Sequence, residues 1–164
     1  SSETNSHEDG TRAHATGRVV TTPLTTPDIL PTLLDCLGLA GRMPANPPSP
    51  GRSFASALRG APPKDWNDAV FFEFENVRSI RTAEWKYVER IHQQPNELYH
   101  LTEDPGERLN LIHHPDAQSA AGSLRRRLHA FFARYADPKW DLWKGGRSKS
   151  GLITAKLFGL TIVE

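Results

Sequence analysis

Arg78, Arg81 and Lys86 are three cations on one short stretch. Guanidinium and ammonium groups donate charge-assisted hydrogen bonds to anionic oxygens. The same three can instead pair across strands with Glu73, Glu75 or Glu84, a purely structural use, and the residues alone leave both uses open. The seven histidines invite metal or acid–base chemistry. His113 and His114 are adjacent, however, and diverge on regular structure. His7 and His14 sit in a polar N-terminal stretch, while His92, His100 and His129 fall on separate elements. They read as solvated or capping residues, so no metal site is expected. Cys36, the sole cysteine, permits no internal disulfide. Its apolar helical setting makes it a buried structural thiol. No nucleophile-elbow motif supports a catalytic serine, and Gly145-Gly146 lacks the flanking strand and helix of a phosphate cradle. No catalytic residue is assigned. Trp140 and Trp143, set among Lys139, Lys144 and Arg147, can stack on sugar rings or bases, but read first as anchors of a tail.

The elements that must position these residues fall into five sections. Residues 1–18 are polar and aperiodic and read as a disordered tail. Residues 19–41 hold a short β-branched piece and then a helix over 28–38. Thr26 or Asp28 is placed to cap it, Ile29, Leu30, Leu33, Leu34 and Leu37 recur at helical spacing, and Gly38 ends it. Residues 42–68 form a Pro-rich linker, with four prolines in MPANPPSPG and one helical turn near SFASALR. Residues 69–136 are the most regular part. Strands are predicted at 69–74, 77–82, 85–90 and 97–101, joined by hairpin-length connections. In the third, Trp85, Tyr87 and Glu89 face one way and Lys86, Val88 and Arg90 the other. An amphipathic helix over 116–135 follows, its stripe made by Ala117, Ala120, Ala121, Leu124, Leu128, Phe131, Phe132 and Tyr135. Burying Leu124, Leu128 and Phe131 contributes about 6 kcal/mol before entropy. Arg125, Arg126 and Arg127 are expected to flank that stripe and face water. Residues 137–164 read as a tail ending in a strand-like apolar segment.

Composition bounds the function classes. Charged residues make up 24% of the chain and the net charge is +1, which gives no pull toward nucleic acid or anionic membrane. No apolar run approaches the roughly 18 residues of a membrane span. The N-terminal stretch lacks the apolar core of a signal peptide. A soluble chain is expected, with no compartment assigned.

Four segments in one order carry a resemblance. TTPDILPTLLDCLGLAG is similar to the S-x-x-D-[IL]-x-PTLLDLAG helix of sulfatases, and PGRSFASALRG to their G-x-SL-x-x-L-x-G segment. VRSIRTAEWKYV resembles the R-x-[VI]-R-T-x-x-[WY]KY[IV] hairpin, and ELYHLTEDPGERLNL the ELYDL-x-x-DP-x-E-x-x-N signature, with His100 in place of its Asp. The resemblance implies an α+β fold: a small four-stranded antiparallel sheet covered by a C-terminal helix, preceded by the last helix of a truncated α/β sulfatase domain of the alkaline-phosphatase-like superfamily. It further implies that the 77–88 hairpin lies near the mouth of an active-site pocket, where Arg78, Arg81 and Lys86 would bind substrate sulfates or carboxylates. The formylglycine nucleophile of the family, made in a C/S-x-P-S-R motif, has no counterpart, because Cys36 is followed by Leu37-Gly38-Leu39. Calcium and formylglycine are therefore expected only in a complete relative. The resemblance implies a C-terminal region that supports fold and pocket wall and is not catalytic alone. The alternative is a non-catalytic binding module for sulfated glycans or other polyanions. The partner expected is the missing large domain, or a second copy through the 28–38 helix.

Overall fold

The computed structural model describes residues 19, 21–46, 48–63, 66, 68–91 and 95–146. The expectations for residues 1–18 and for the apolar segment after 147 lie outside these. Four strands, β1 (Val70–Phe74), β2 (Val77–Arg81), β3 (Trp85–Arg90) and β4 (Glu97–His100), form one antiparallel sheet in the order β1-β2-β3-β4. Glu75 and Asn76 close the first hairpin, with Phe74 opposite Val77 and Glu75 at φ 51°. A two-residue connection of this kind demands positive φ to match the strand twist. At the second hairpin Thr82 bonds Trp85 in both directions, its N–H donating to the Trp85 carbonyl at 2.8 Å and its hydroxyl accepting from the Trp85 N–H at 2.9 Å.

Strand alternation sorts the side chains onto two faces. Ile80, Tyr87 and Leu98 point to one face, where the long helix α3 (Gln118–Tyr135) lies across them. Ala121, Leu124, Leu128 and Phe132 make its buried stripe at i, i+3, i+7 and i+11. Ile80, Leu98 and Leu128 are sealed from solvent, and their burial contributes roughly 6 kcal/mol before entropy. The sequence grouped Phe131 with the core. Phe132 takes that place instead, and Phe131 stacks on Phe71 at the rim, with centroids 3.9 Å apart. The turn Pro115–Ala117 is 3₁₀, so α3 proper begins two residues later than the pattern suggests.

Upstream of the sheet, a 3₁₀ turn at Thr26–Asp28 leads into α1 (Ile29–Cys36), and a single turn, α2 (Ala55–Leu58), follows the proline-rich stretch. No strand forms among the described residues before α1. Asp28 does not cap forward. Its Oδ2 accepts from the Thr25 N–H and hydroxyl at 2.7 Å each, and its Oδ1 from the Arg52 N–H at 2.8 Å. Thr32 donates to the Asp28 carbonyl at 2.6 Å and accepts from the Phe54 N–H at 3.0 Å, while the Ser53 hydroxyl donates to Asp35 at 2.5 Å. Residues 51–55 can lie this close because position 51 is glycine: a Cβ there would meet the Pro27 carbonyl oxygen at 1.9 Å.

The result is an inverted helix. α1 buries the polar Asp28 turn and Thr32, while Ile29, Leu30, Leu33 and Leu37 stay half exposed or more. Cys36 is exposed as well, a correction to the buried thiol read from its apolar neighbours. Ile29, Leu30, Leu33 and Leu37 are themselves about half exposed or more, and the cysteine shares their exposure.

Candidate functional site

The β2–β3 hairpin splits the three candidate cations. Arg81 and Lys86 are cross-strand partners, side by side on the sheet face away from α3. Arg78 is three residues from Arg81, an odd offset, and therefore points to the opposite face. Alternation in β2 already carried that signal in the sequence.

Arg78 is buried. Its Nε donates to Glu73 Oε1 at 2.7 Å, where the register sets Glu73 directly opposite, and its Nη2 donates to Asp141 Oδ1 at 2.7 Å. The Phe132 ring lies 4.0 Å from its guanidinium carbon and the Trp143 ring 5.0 Å. Two carboxylates and two aromatic rings surround the one cation, which pins the segment after α3 to the sheet. Trp143 therefore anchors a tail, but onto this chain's own β2. Asp141 Oδ1 also accepts from the Trp143 N–H at 3.0 Å, which sets the short 3₁₀ turn Leu142–Lys144.

Arg81 and Lys86 share one carboxylate. Glu107 takes Arg81 Nη1 on Oε1 at 3.2 Å and Lys86 Nζ on Oε2 at 2.5 Å. The pairing expected for these cations named Glu73, Glu75 or Glu84. Glu107 was missed because it lies beyond the last strand and reaches the pair only through the turn after β4. That turn is locked by Asp104, whose Oδ2 accepts from the Arg108 and Leu109 N–H groups at 2.6 and 2.8 Å. Further along the same face, Arg90 pairs with Glu97 at 2.9 Å.

A second polar cluster lies under α3. Glu89 is buried on the helix-facing side of β3 and accepts from Arg125 Nε at 3.0 Å and His129 Nε2 at 2.6 Å, one helical turn apart. Arg125 thus reaches the sheet while its side chain still faces water, 59% exposed. Burial, and next the nearby Glu89 charge, push the Tyr87 phenol up to about 12, so it stays neutral. This cluster docks the helix. His100 stands apart at the sheet edge, bonded to Glu84 at 3.1 Å and Glu103 at 3.0 Å, its ring 4.3 Å from that of Trp85.

Among the described residues, no three His, Cys, Asp or Glu side chains converge as metal ligands. No described helix is long and apolar enough to cross a membrane. A cleft of about 110 Å³ lies where the α1 segment meets the sheet and α3, lined by Pro27, Trp66, Phe71, Phe131 and Tyr135. The Trp66 indole donates across it to the Pro23 carbonyl at 2.8 Å.

Comparison with known proteins places this geometry. Residues 13–134 match the family model of N-sulphoglucosamine sulphohydrolase, C-terminal. The chain is 32% identical over 118 residues to a Delta 4,5-hexuronate-2-O-sulfatase of Bacteroides thetaiotaomicron, covering 67% of this chain and 24% of that protein. Among solved structures it is similar to a 2-O glycosaminoglycan sulfatase, at 33% identity and TM-score 0.54, covering 68% of this chain and 25% of the other. It is similar too to the phosphonate monoester hydrolase of Agrobacterium radiobacter, at 29% identity and TM-score 0.57, with the same two coverages. The chain spans about a quarter of the length of these relatives.

Proposed function

The chain belongs to the sulfatase family and corresponds to its C-terminal region, and from that premise we propose that it acts as the supporting portion of a sulfuric ester hydrolase without catalysing alone. Its sheet and α3 form a rigid block. Its α1 offers an apolar surface to the remaining large domain, and Arg81 and Lys86 add a cationic wall to that domain's substrate pocket. One observation carries the reading: α1 turns Asp28 and Thr32 inward, onto residues 51–55, and Ile29, Leu30 and Leu33 outward. A helix so arranged buries its apolar face only when another body covers it. Closing off Ile29, Leu30, Leu33 and Leu37 contributes on the order of 4 kcal/mol, taking about half of each side chain's burial as already gained.

In a complete relative, calcium and formylglycine supply charge neutralisation and the nucleophile. The residues here supply no step through either. The isolated chain is therefore expected to give no calcium-dependent hydrolysis of an aryl sulfate, and metal-dependent turnover by it would overturn the proposal. A second reading, a stand-alone binder of sulfated glycans, draws support from the open placement of Arg81, whose side chain is 55% exposed. Heparin binding by the isolated chain that survives Leu30→Glu/Leu33→Glu in α1 would favour it.

A further inference from the structure

Glu107 sits at φ 53°. A non-glycine residue pays for the left-handed region sterically and persists there only where its surroundings over-determine it. The surroundings here are explicit. The Glu107 N–H donates to the Asp104 carbonyl at 3.1 Å, and the Asp104 carboxylate holds the next two N–H groups. Glycine stands one position earlier, at 106, so the residue that would tolerate this backbone best is not the one that adopts it. What position 107 gains over glycine is a carboxylate, and that carboxylate is delivered onto Arg81 and Lys86 with one oxygen for each cation.

We propose that Glu107 is an internal stand-in for the anion that Arg81 and Lys86 receive, so that a sulfated ligand binds this face only by displacing it. The inference rests on the reading of Arg81 and Lys86 as a substrate-facing pair. Two cations and one carboxylate leave a single net positive charge on the spot. The three side chains keep 55%, 29% and 26% exposure for Arg81, Lys86 and Glu107, so an incoming sulfate can reach the cations from solvent. Glu107 sits on a turn outside the sheet ladder and can swing away without breaking a strand pair. It thereby sets a threshold of specificity: a strong anion with several oxygens competes with the carboxylate, whereas a weak or singly bonded one does not.

The test is titration of the 164-residue chain with a heparin-derived tetrasaccharide at low and moderate salt, for wild type, Glu107→Gln, Arg81→Gln and Lys86→Gln, and for each cation variant combined with Glu107→Gln. Glu107→Gln is expected to bind about tenfold more tightly, from removal of a like charge beside the ligand, with a steeper salt dependence. That gain must vanish when Arg81 or Lys86 is also replaced. A gain that persists when Arg81 or Lys86 is also replaced would be a general charge effect and would overturn the stand-in role. If wild type binds through Arg81 and Lys86 but Glu107→Gln binds equally or less well, the stand-in role is overturned and the substrate-facing pair stands. If neither wild type nor Glu107→Gln binds, the pair itself is overturned and the inference with it.

Discussion

His100 lies between two carboxylates, and its titration follows from that placement. The hydrogen bond to Glu103, with Glu84 adding to it, raises its pKa above the ordinary 6.5. A histidine whose folded-state value is raised stabilises the fold fully below its unfolded value, and the contribution disappears as pH climbs through the folded value. The urea midpoint of the chain is thus expected to decline modestly as pH rises from 6.5 through the raised pKa, and His100→Gln should flatten that segment of the profile. An unchanged slope in the variant would assign the pH response elsewhere. The residue scale is also where the sequence was least legible. It named Arg78, Arg81 and Lys86 as one set, and the odd spacing between 78 and 81 separates them onto two faces. Glu107 lay 21 residues from Lys86, joined by a turn whose path no local pattern gives.

At the scale of elements, the sheet was readable because its signals are local. All four strands and their antiparallel order follow from alternation and short connections, and the structure moves their ends by one residue at most. α3 was equally plain from its stripe. What the pattern cannot give is the path of a segment fixed by single side chains, as with residues 137–146. Arg78 holds that segment through Asp141, both groups buried. Removing one member of a buried ion pair strands the other charge. Arg78→Met should therefore cost about 3 kcal/mol in urea unfolding and, by loosening the segment, speed tryptic cleavage after Lys139 and Lys144, which are already exposed. Arg81→Met, on an exposed pair, should cost less than about 1 kcal/mol. Equal costs for the two would contradict the burial argument. Cys36 shows the converse error of pattern reading. An apolar stripe says that a face seeks burial, and it does not say that the burying partner is in the same chain.

Across the whole molecule, one half is self-sufficient and the other is not. The sheet and α3 enclose a core with Ile80, Leu98 and Leu128 sealed from water. The α1 segment is hydrogen-bonded to residues 51–55 but keeps its apolar face outside. The chain spans about a quarter of the length of these relatives. The central claim is that the outward leucines of α1 are a docking face. Sedimentation of the isolated chain, read together with hydrogen exchange of the Ile29–Cys36 amides, tests it most directly. Wild type is expected to self-associate with rising concentration, and Leu30→Glu/Leu33→Glu to be a monomer with fast-exchanging α1 amides. A wild-type monomer at all concentrations, with α1 amides protected throughout, would contradict it.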